Sequence, residues 1–294
     1  MRGVISALLR ASEILEIDQD RKPVWQEFLD HLAPLPTSDQ PDALCPANYR
    51  GPRMFVSALK PAVKGDRSPG SWTPDINTLP IWFFDLCHVE SKDREAFNLA
   101  QATFDHLATN RLRPDSPVGG LSKLPIAAAY LGRADAVQIL LPKQMQAMPM
   151  TKSSNYKSGG RLNNRMSLLE GAQALDAEHL GRASEALHLA LLQSNPPTPG
   201  EDPILHLFPA WPRQWDARYT LRARGGFIVT ASIENGSVNL VDLQSVAGSL
   251  CKLRNPFPGA VALYRNGKQA ERLSGTLLEF KTDKRERITV KQVI

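Results

Sequence analysis

From Tyr219 to Leu243 the chain reads YTLRARGGFIVTASIENGSVNLVDL, and this stretch decides the class of the C-terminal part. Apolar and polar residues alternate in FIVTASI (227–233) and SVNLVDL (237–243), with Glu234-Asn235-Gly236 between them. Alternation with a period of two is the pattern of a strand buried on one face, and Asn-Gly favours the positive φ angles of a tight hairpin. Outward from it, Asn266-Gly267 separates VALYR (261–265) from KQAERL (268–273), and LLEFKT and ERITVKQV follow. Roughly seven strands in residues 219–294 predict an antiparallel β-sandwich.

Upstream the period changes. Residues 3 to about 195 read as helical, with Leu180, Ala183, Leu187, Ala190 and Leu191 forming a stripe on a helix over Asp176–Gln193. Phe97, Ala100, Phe104, Leu107 and Ala108 share a face in Arg94–Asn110, and LSKLPIAAAYLG and RADAVQILLP form a helical pair ending at Gly132 and Pro142. An apolar helix is expected near Leu79–Val89, and a short one around Val24, Phe28, Leu29 and Leu32 behind Pro23. Between them runs a Pro/Gly-rich connection, Pro34 to about Pro74, whose length suits a segment that covers a site. The opening MRGVISALLRASEILEID places Val4, Leu8, Ala11, Ser12 and Leu15 on one face, with no capping signal ahead of it. A helix already running at its first residues predicts a fold that begins upstream. Arg10 breaks the apolar run, so the opening does not read as a signal peptide.

Composition narrows the function classes. The 294 residues are 42% hydrophobic and 22% charged, so wholesale disorder is excluded. No apolar run approaches the roughly 18 residues of a membrane-spanning helix. The three cysteines, Cys45, Cys87 and Cys251, form no CxxC pair, and the six histidines show no metal-ligand spacing, so no metal and no cofactor is expected. Net charge is +5, and residues 251–294 carry ten Lys/Arg against four Asp/Glu. A second basic stretch spans Lys143–Arg165. Neither contains a nucleic-acid module, so both read as solvated surface and no nucleic-acid partner is expected. Phosphate-binding loops, GxSxG and HExxH are absent.

What remains is carboxylates beside aromatics, the composition of a sugar site. Glycosidic hydrolysis needs one carboxyl group to protonate the leaving oxygen and a second to act as base or nucleophile. Candidates are Glu170, Asp176 and Glu178 around the start of the long helix and Asp202 after it. Trp72, Trp82, Trp211 and Trp215 offer stacking surfaces. The alternative is that the acids near Asp176 only favour the helix N-terminus through its dipole.

The stretch Ala183–Arg254 resembles the junction between helical barrel and β-domain in family 95 glycoside hydrolases, the α-L-fucosidase family. The residues that carry the resemblance are ASEALHLALLQS, ILHLFPAWPRQW, LRARGGF and AGSLCKLRNPF. ASEILEIDQD before WQEFLDHLAPLP is similar to the helix that family places ahead of an LPPL-type segment. The resemblance implies part of an (α/α)6-type helical barrel over residues 1–206 and an antiparallel β-sandwich over 207–294. It implies hydrolysis of O-glycosyl bonds by a carboxylic acid/base pair, with an oligosaccharide or glycoside as partner and no cofactor. It also implies an extracytoplasmic location, if the parent protein follows the family.

By ungapped position the family's base falls on Glu178, with Asp176 next and Asp202 third, although DAEHLG stands where the family has a DGNFG-like motif. Trp72, Trp82 and His88 (in DLCHVES) are the substrate-contact candidates, and Trp211 and Trp215 are expected at the domain interface. The family's acid-bearing segment lies upstream of the opening helix. This chain is therefore expected to lack the acid, to be inactive alone, and to self-associate through an exposed half-barrel. The rival expectation is a non-catalytic carbohydrate-binding or structural protein derived from that fold.

Overall fold

The computed structural model of the chain describes residues 1–45, 49–59, 77–83, 85–119, 122–147, 169–170, 174–175 and 177–293, with side chains for all of these except 147, 169, 170, 174, 175 and 177–180. Helices come first and strands after, as the change of period predicts. The helices are α1 (Arg2–Leu15), α2 (Lys22–Asp30), α3 (Leu79–Trp82), α4 (Arg94–Ala108), α5 (Leu124–Tyr130), α6 (Ala134–Ala147) and α7 (Ala177–Leu191).

At the start of α4 the Asp93 carboxylate accepts from the Ala96 N–H at 2.9 Å, capping one otherwise unsatisfied donor. Its stripe of Phe97, Ala100, Phe104 and Ala108 faces a core shared with α5, α6 and α7. Every residue of α5 is buried, and Ala183, Ala186 and Ala190 of α7 belong to the same core. Small side chains at these positions let the helices approach closely. Gly132, at φ 73°, turns the chain from α5 into α6, and a Cβ there would meet Val89 Cγ1 at 2.7 Å. The Pro-rich connection contributes Phe55 to this core, held by its N–H donating to Thr103 Oγ1 at 2.9 Å.

Three helical expectations change. The apolar run at 79–89 is helical only over Leu79–Trp82, because Phe83 turns extended and Asp85 adopts φ 56°. The expected stop at Pro142 is passed, with α6 continuing to Ala147. Before α7, Leu169–Glu170 (β1) and Ala174–Leu175 (β2) pair antiparallel, although no strand is expected between residues 90 and 190. On α1 the apolar face points largely to solvent, with Val4 44%, Leu8 37% and Leu15 61% exposed.

The strands form two larger sheets. Six of them, Ala217–Ala223 (β5), Phe227–Glu234 (β6), Ser237–Ser245 (β7), Val261–Arg265 (β9), Lys268–Leu273 (β10) and Arg287–Gln292 (β12), lie in the order β10-β9-β12-β7-β6-β5, antiparallel throughout. The second sheet holds Leu192–Asn195 (β3), Ile204–Leu207 (β4), Cys251–Arg254 (β8) and Leu277–Phe280 (β11) in the order β11-β8-β4-β3. One pair departs from the antiparallel expectation: β4 runs parallel to β8 at Leu205↔Leu253. The smaller sheet thus recruits Leu192–Asn195 and Ile204–Leu207, of which all but Leu207 fall in the helical part by the 206/207 division. Both hairpin signals become turns, with φ 50° and 75° at Asn235-Gly236 and 47° and 86° at Asn266-Gly267. Val229, Val241, Leu243 and Ile288 of the larger sheet meet Leu205, Leu253 and Leu278 of the smaller one in a single sealed core.

Candidate functional site

A cleft of about 530 Å³ opens where α7 and the end of α5 face β3 and β5. Its polar lining comes from Tyr130, Glu185, His188, Asn195, Arg222 and Arg224. The helical period puts Glu185 and His188 on one side of α7 while Ala183, Ala186 and Ala190 turn into the core. Asn195 closes β3, and the RARGG sequence at the end of β5 sends Arg222 and Arg224 to the same mouth.

A set of hydrogen bonds fixes one wall. Asn195 Nδ2 donates to Asp85 Oδ1 at 2.5 Å, and Arg224 holds the same carboxylate through both Nη atoms, with Nη2 to Oδ1 at 3.2 Å. The positive φ of Asp85 aims the carboxylate between these two donors. Asn195 is 2% exposed, and its Oδ1 is buried without a hydrogen-bond partner among the described residues. Burial, followed by the charges of Asp85 and Glu185, raises the pKa of the Tyr130 phenol, so it stays a neutral donor. Desolvation lowers the pKa of His188, whose ring bonds the Arg222 backbone, and this favours a neutral imidazole.

Glu185 is solvent-accessible as a residue, yet desolvation by the cleft walls outweighs Arg182 and pushes its carboxyl upward. Glu185 is thus a reachable carboxyl whose partial desolvation shifts it upward. Among the described residues lining the cleft it is the one that carries a carboxyl. Such a wall can hydrogen-bond the hydroxyls of a sugar through Tyr130, Asn195 and Glu185.

The candidates from the sequence fall in different places. Glu178 lies on α7 seven residues ahead of Glu185, which is two turns or about 10 Å along the axis. Its side chain, with that of Glu170, lies outside those described, and Asp176 and Trp72 lie outside the described residues altogether. Asp202 does not line the cleft. It pairs with Arg10 at 2.7 Å and with Lys252 at 3.6 Å, tying α1 to the β-domain.

His88 is fully buried, with Nε2 on the Pro196 carbonyl at 3.0 Å and Nδ1 accepting from the Glu90 N–H at 3.2 Å. Both ring nitrogens are therefore taken by backbone, which leaves none for a sugar. Burial holds its pKa down at about 4, so the ring is neutral. Trp82 donates from Nε1 to Thr78 at 2.9 Å and packs against the helical core, with Arg182 over its ring at 5.5 Å. Trp211 packs against both cores, and its Nε1 donates to the Trp215 carbonyl at 2.8 Å.

Asp85, Tyr130, Glu185, Asn195 and Arg224 escape a search for acid pairs near aromatics. The available signals were the i,i+3 pair Glu185/His188 and the two arginines of LRARGGF. A second polar cluster lies outside the cleft lining. Glu90, its side chain 5% exposed, meets His206 Nδ1 at 2.7 Å and Arg254 Nε at 3.1 Å. Burial pushes this carboxyl up, but the bonds from His206 and Arg254 prevail and hold it at about 2.

Among the described residues, no group of three His, Cys, Asp or Glu could hold a metal ion, and no helix is long and apolar enough to cross a membrane. Residues 200–290 match the family model for the glycoside hydrolase family 95, C-terminal domain. No curated protein matches the chain. The strand that brings Arg222 to the cleft lies within the region that matches this family 95 C-terminal domain model.

Proposed function

We propose that the chain serves α-L-fucosidase-like hydrolysis of O-glycosyl bonds, with its helical region as part of an (α/α) barrel and the cleft beside α7 as the place where the glycoside lies. The observation that carries this reading is the cleft itself, sugar-sized, lined by hydrogen-bonding groups and formed against the family 95 domain. The base comes from the start of α7, Glu178 ahead of Asp176, and Glu185 two turns further on binds the ligand. Asp202 stands last, being held by Arg10 and Lys252. Glycosidic hydrolysis needs two carboxyl groups in separate roles. With Glu178 as base and Glu185 holding the ligand, no acid partner stands among the described residues of the cleft lining, so the chain alone is expected to bind glycoside without cleaving it. The apolar flank of α1 supports self-association of the chain.

Leaving-group chemistry tests this. An alkyl α-L-fucoside needs a proton donor to depart, whereas fluoride in α-L-fucosyl fluoride needs little protonation. The account expects no fucose from the alkyl fucoside and slow release from the fluoride, abolished in Glu178→Gln. Release from the alkyl fucoside overturns the missing-acid claim. That Glu185 is the one carboxyl among the described lining residues also favours a second reading, non-catalytic carbohydrate binding. That reading expects binding of both compounds with turnover of neither.

A further inference from the structure

The outer face of the six-stranded sheet carries a charge pattern that the cleft does not explain. Strand register aligns Thr220, Thr230, Asp242, Thr289, Tyr264 and Gln269 in one row across all six strands. Along it Thr220 Oγ1 and Thr230 Oγ1 lie 2.8 Å apart, and Thr289 Oγ1 donates to Asp242 Oδ1 at 2.6 Å. Two residues away on either side, the same register places Arg222 and Arg287 in one flanking row and Arg218, Lys291 and Arg272 in the other. All five cations are exposed, and none forms an ion pair among the described residues. Lys291 instead lies over the Tyr264 ring at 4.8 Å.

A strand rises about 3.4 Å per residue, so the flanking rows, four residues apart, stand about 14 Å from each other with the hydroxyl row between them. A solvated sheet face usually intersperses both signs, because like charges on one face repel. Here the single acid of the three rows, Asp242, is already bonded to Thr289. Arg222 belongs both to this face and to the cleft lining, so the face runs up to the cleft mouth.

We propose that this sheet face is a docking track for an anionic polysaccharide, its sulfate or carboxylate groups paired with Arg218, Arg222, Arg272, Arg287 and Lys291 and its hydroxyls on the Thr220–Gln269 row. It delivers a charged glycan to the cleft, and so rests on the reading of the cleft as a glycoside site. The partner is set by charge complementarity together with the uncharged hydrogen-bonding row, which suits a polymer bearing hydroxyls between its anionic groups.

The probes are dextran sulfate, polygalacturonate, unsulfated dextran and duplex DNA, each titrated into the full chain. The account expects binding of dextran sulfate or polygalacturonate, with sulfate and carboxylate separated by which of the two is tighter. Affinity should fall about tenfold or more between roughly 50 and 200 mM salt, with no binding of dextran. The triple variant Arg218→Glu/Arg287→Glu/Lys291→Glu should lose at least about tenfold in affinity, and the charge-neutral Arg218→Gln/Arg287→Gln an intermediate amount. Monosaccharide binding and its loss in Glu185→Gln test the cleft alone, so failure of the cleft reading is scored separately from polymer binding on the sheet face. Failure to bind either polyanion, equal affinity for DNA, or full affinity in folded triple and double variants each overturns the proposal.

Discussion

In the β-domain Val229, Leu243, Leu253 and Leu278, on the inward faces of the two sheets, are at most 1% exposed, whereas α1 leaves Val4, Leu8, Ile14 and Leu15 at 37–66%. Around α5 the helical region is as dry as the sandwich, yet its first two helices bury only Gly3 and Ser12 between them. Burial of apolar surface stabilises by about 25 cal/mol per Å² removed from water, so identical side chains count very differently in the two places. The sandwich and the α4–α7 core carry the stability. The α1–α2 flank is held chiefly by polar ties such as Arg2 to the Leu32 carbonyl at 2.8 Å and Arg10 to Asp202 at 2.7 Å.

The sharpest way to break this contrast is to truncate one leucine on each side. Leu253→Ala, in the sealed core, should cost about 3–4 kcal/mol in urea unfolding. Leu8→Ala on α1 should change stability by no more than about 0.5 kcal/mol and reduce concentration-dependent association in sedimentation. Equal losses at the two sites would contradict the division.

Next in size is a pH effect at the seam between the regions, where His88 meets Pro196. Its folded pKa, about 4, lies below the ordinary 6.5, so the unfolded chain takes up the proton first. This contribution is complete above pH 6.5 and is lost as pH falls to about 4, amounting to at most about 3 kcal/mol. Glu90, at about 2 against an ordinary 4.5, extends the loss below pH 4.5. Replacing the ring by Asn should flatten stability against pH between about 6.5 and 4, and an unchanged slope would contradict the neutral, backbone-bonded ring. Smaller again is Glu90→Gln, which leaves Arg254 and His206 without their carboxylate and should cost about 2 kcal/mol near neutral pH, since both partners are partly exposed.

Much of this architecture was legible in the sequence where one local signal dominates. The α4 stripe and the Asn-Gly hairpins follow from period and turn chemistry alone. Leu192–Asn195 was not legible as a strand, because LLQS continues the helical stripe and only its pairing with Ile204–Leu207 makes it extended. The same holds for the site. Asp85 sits in a run that reads as helix, and its role depends on a positive φ and on Arg224, 139 residues away. Asp202 and His88 carry the residue types of a site, and long-range partners, Arg10 and Pro196, absorb them. The likeness to family 95 was visible through LRARGGF and ILHLFPAW, both of which lie within the matched residues 200–290.

The central claim, that the cleft between α7 and β5 receives the sugar, is tested most directly by the crystal structure of the protein soaked with an α-L-fucoside it does not turn over. The account predicts a pyranose ring in the cleft, hydrogen-bonded to Glu185 and to Tyr130 or Asn195. A ring bound instead in the groove between Arg53, Phe55 and Glu95, or an open cleft left empty at saturating ligand, would contradict it.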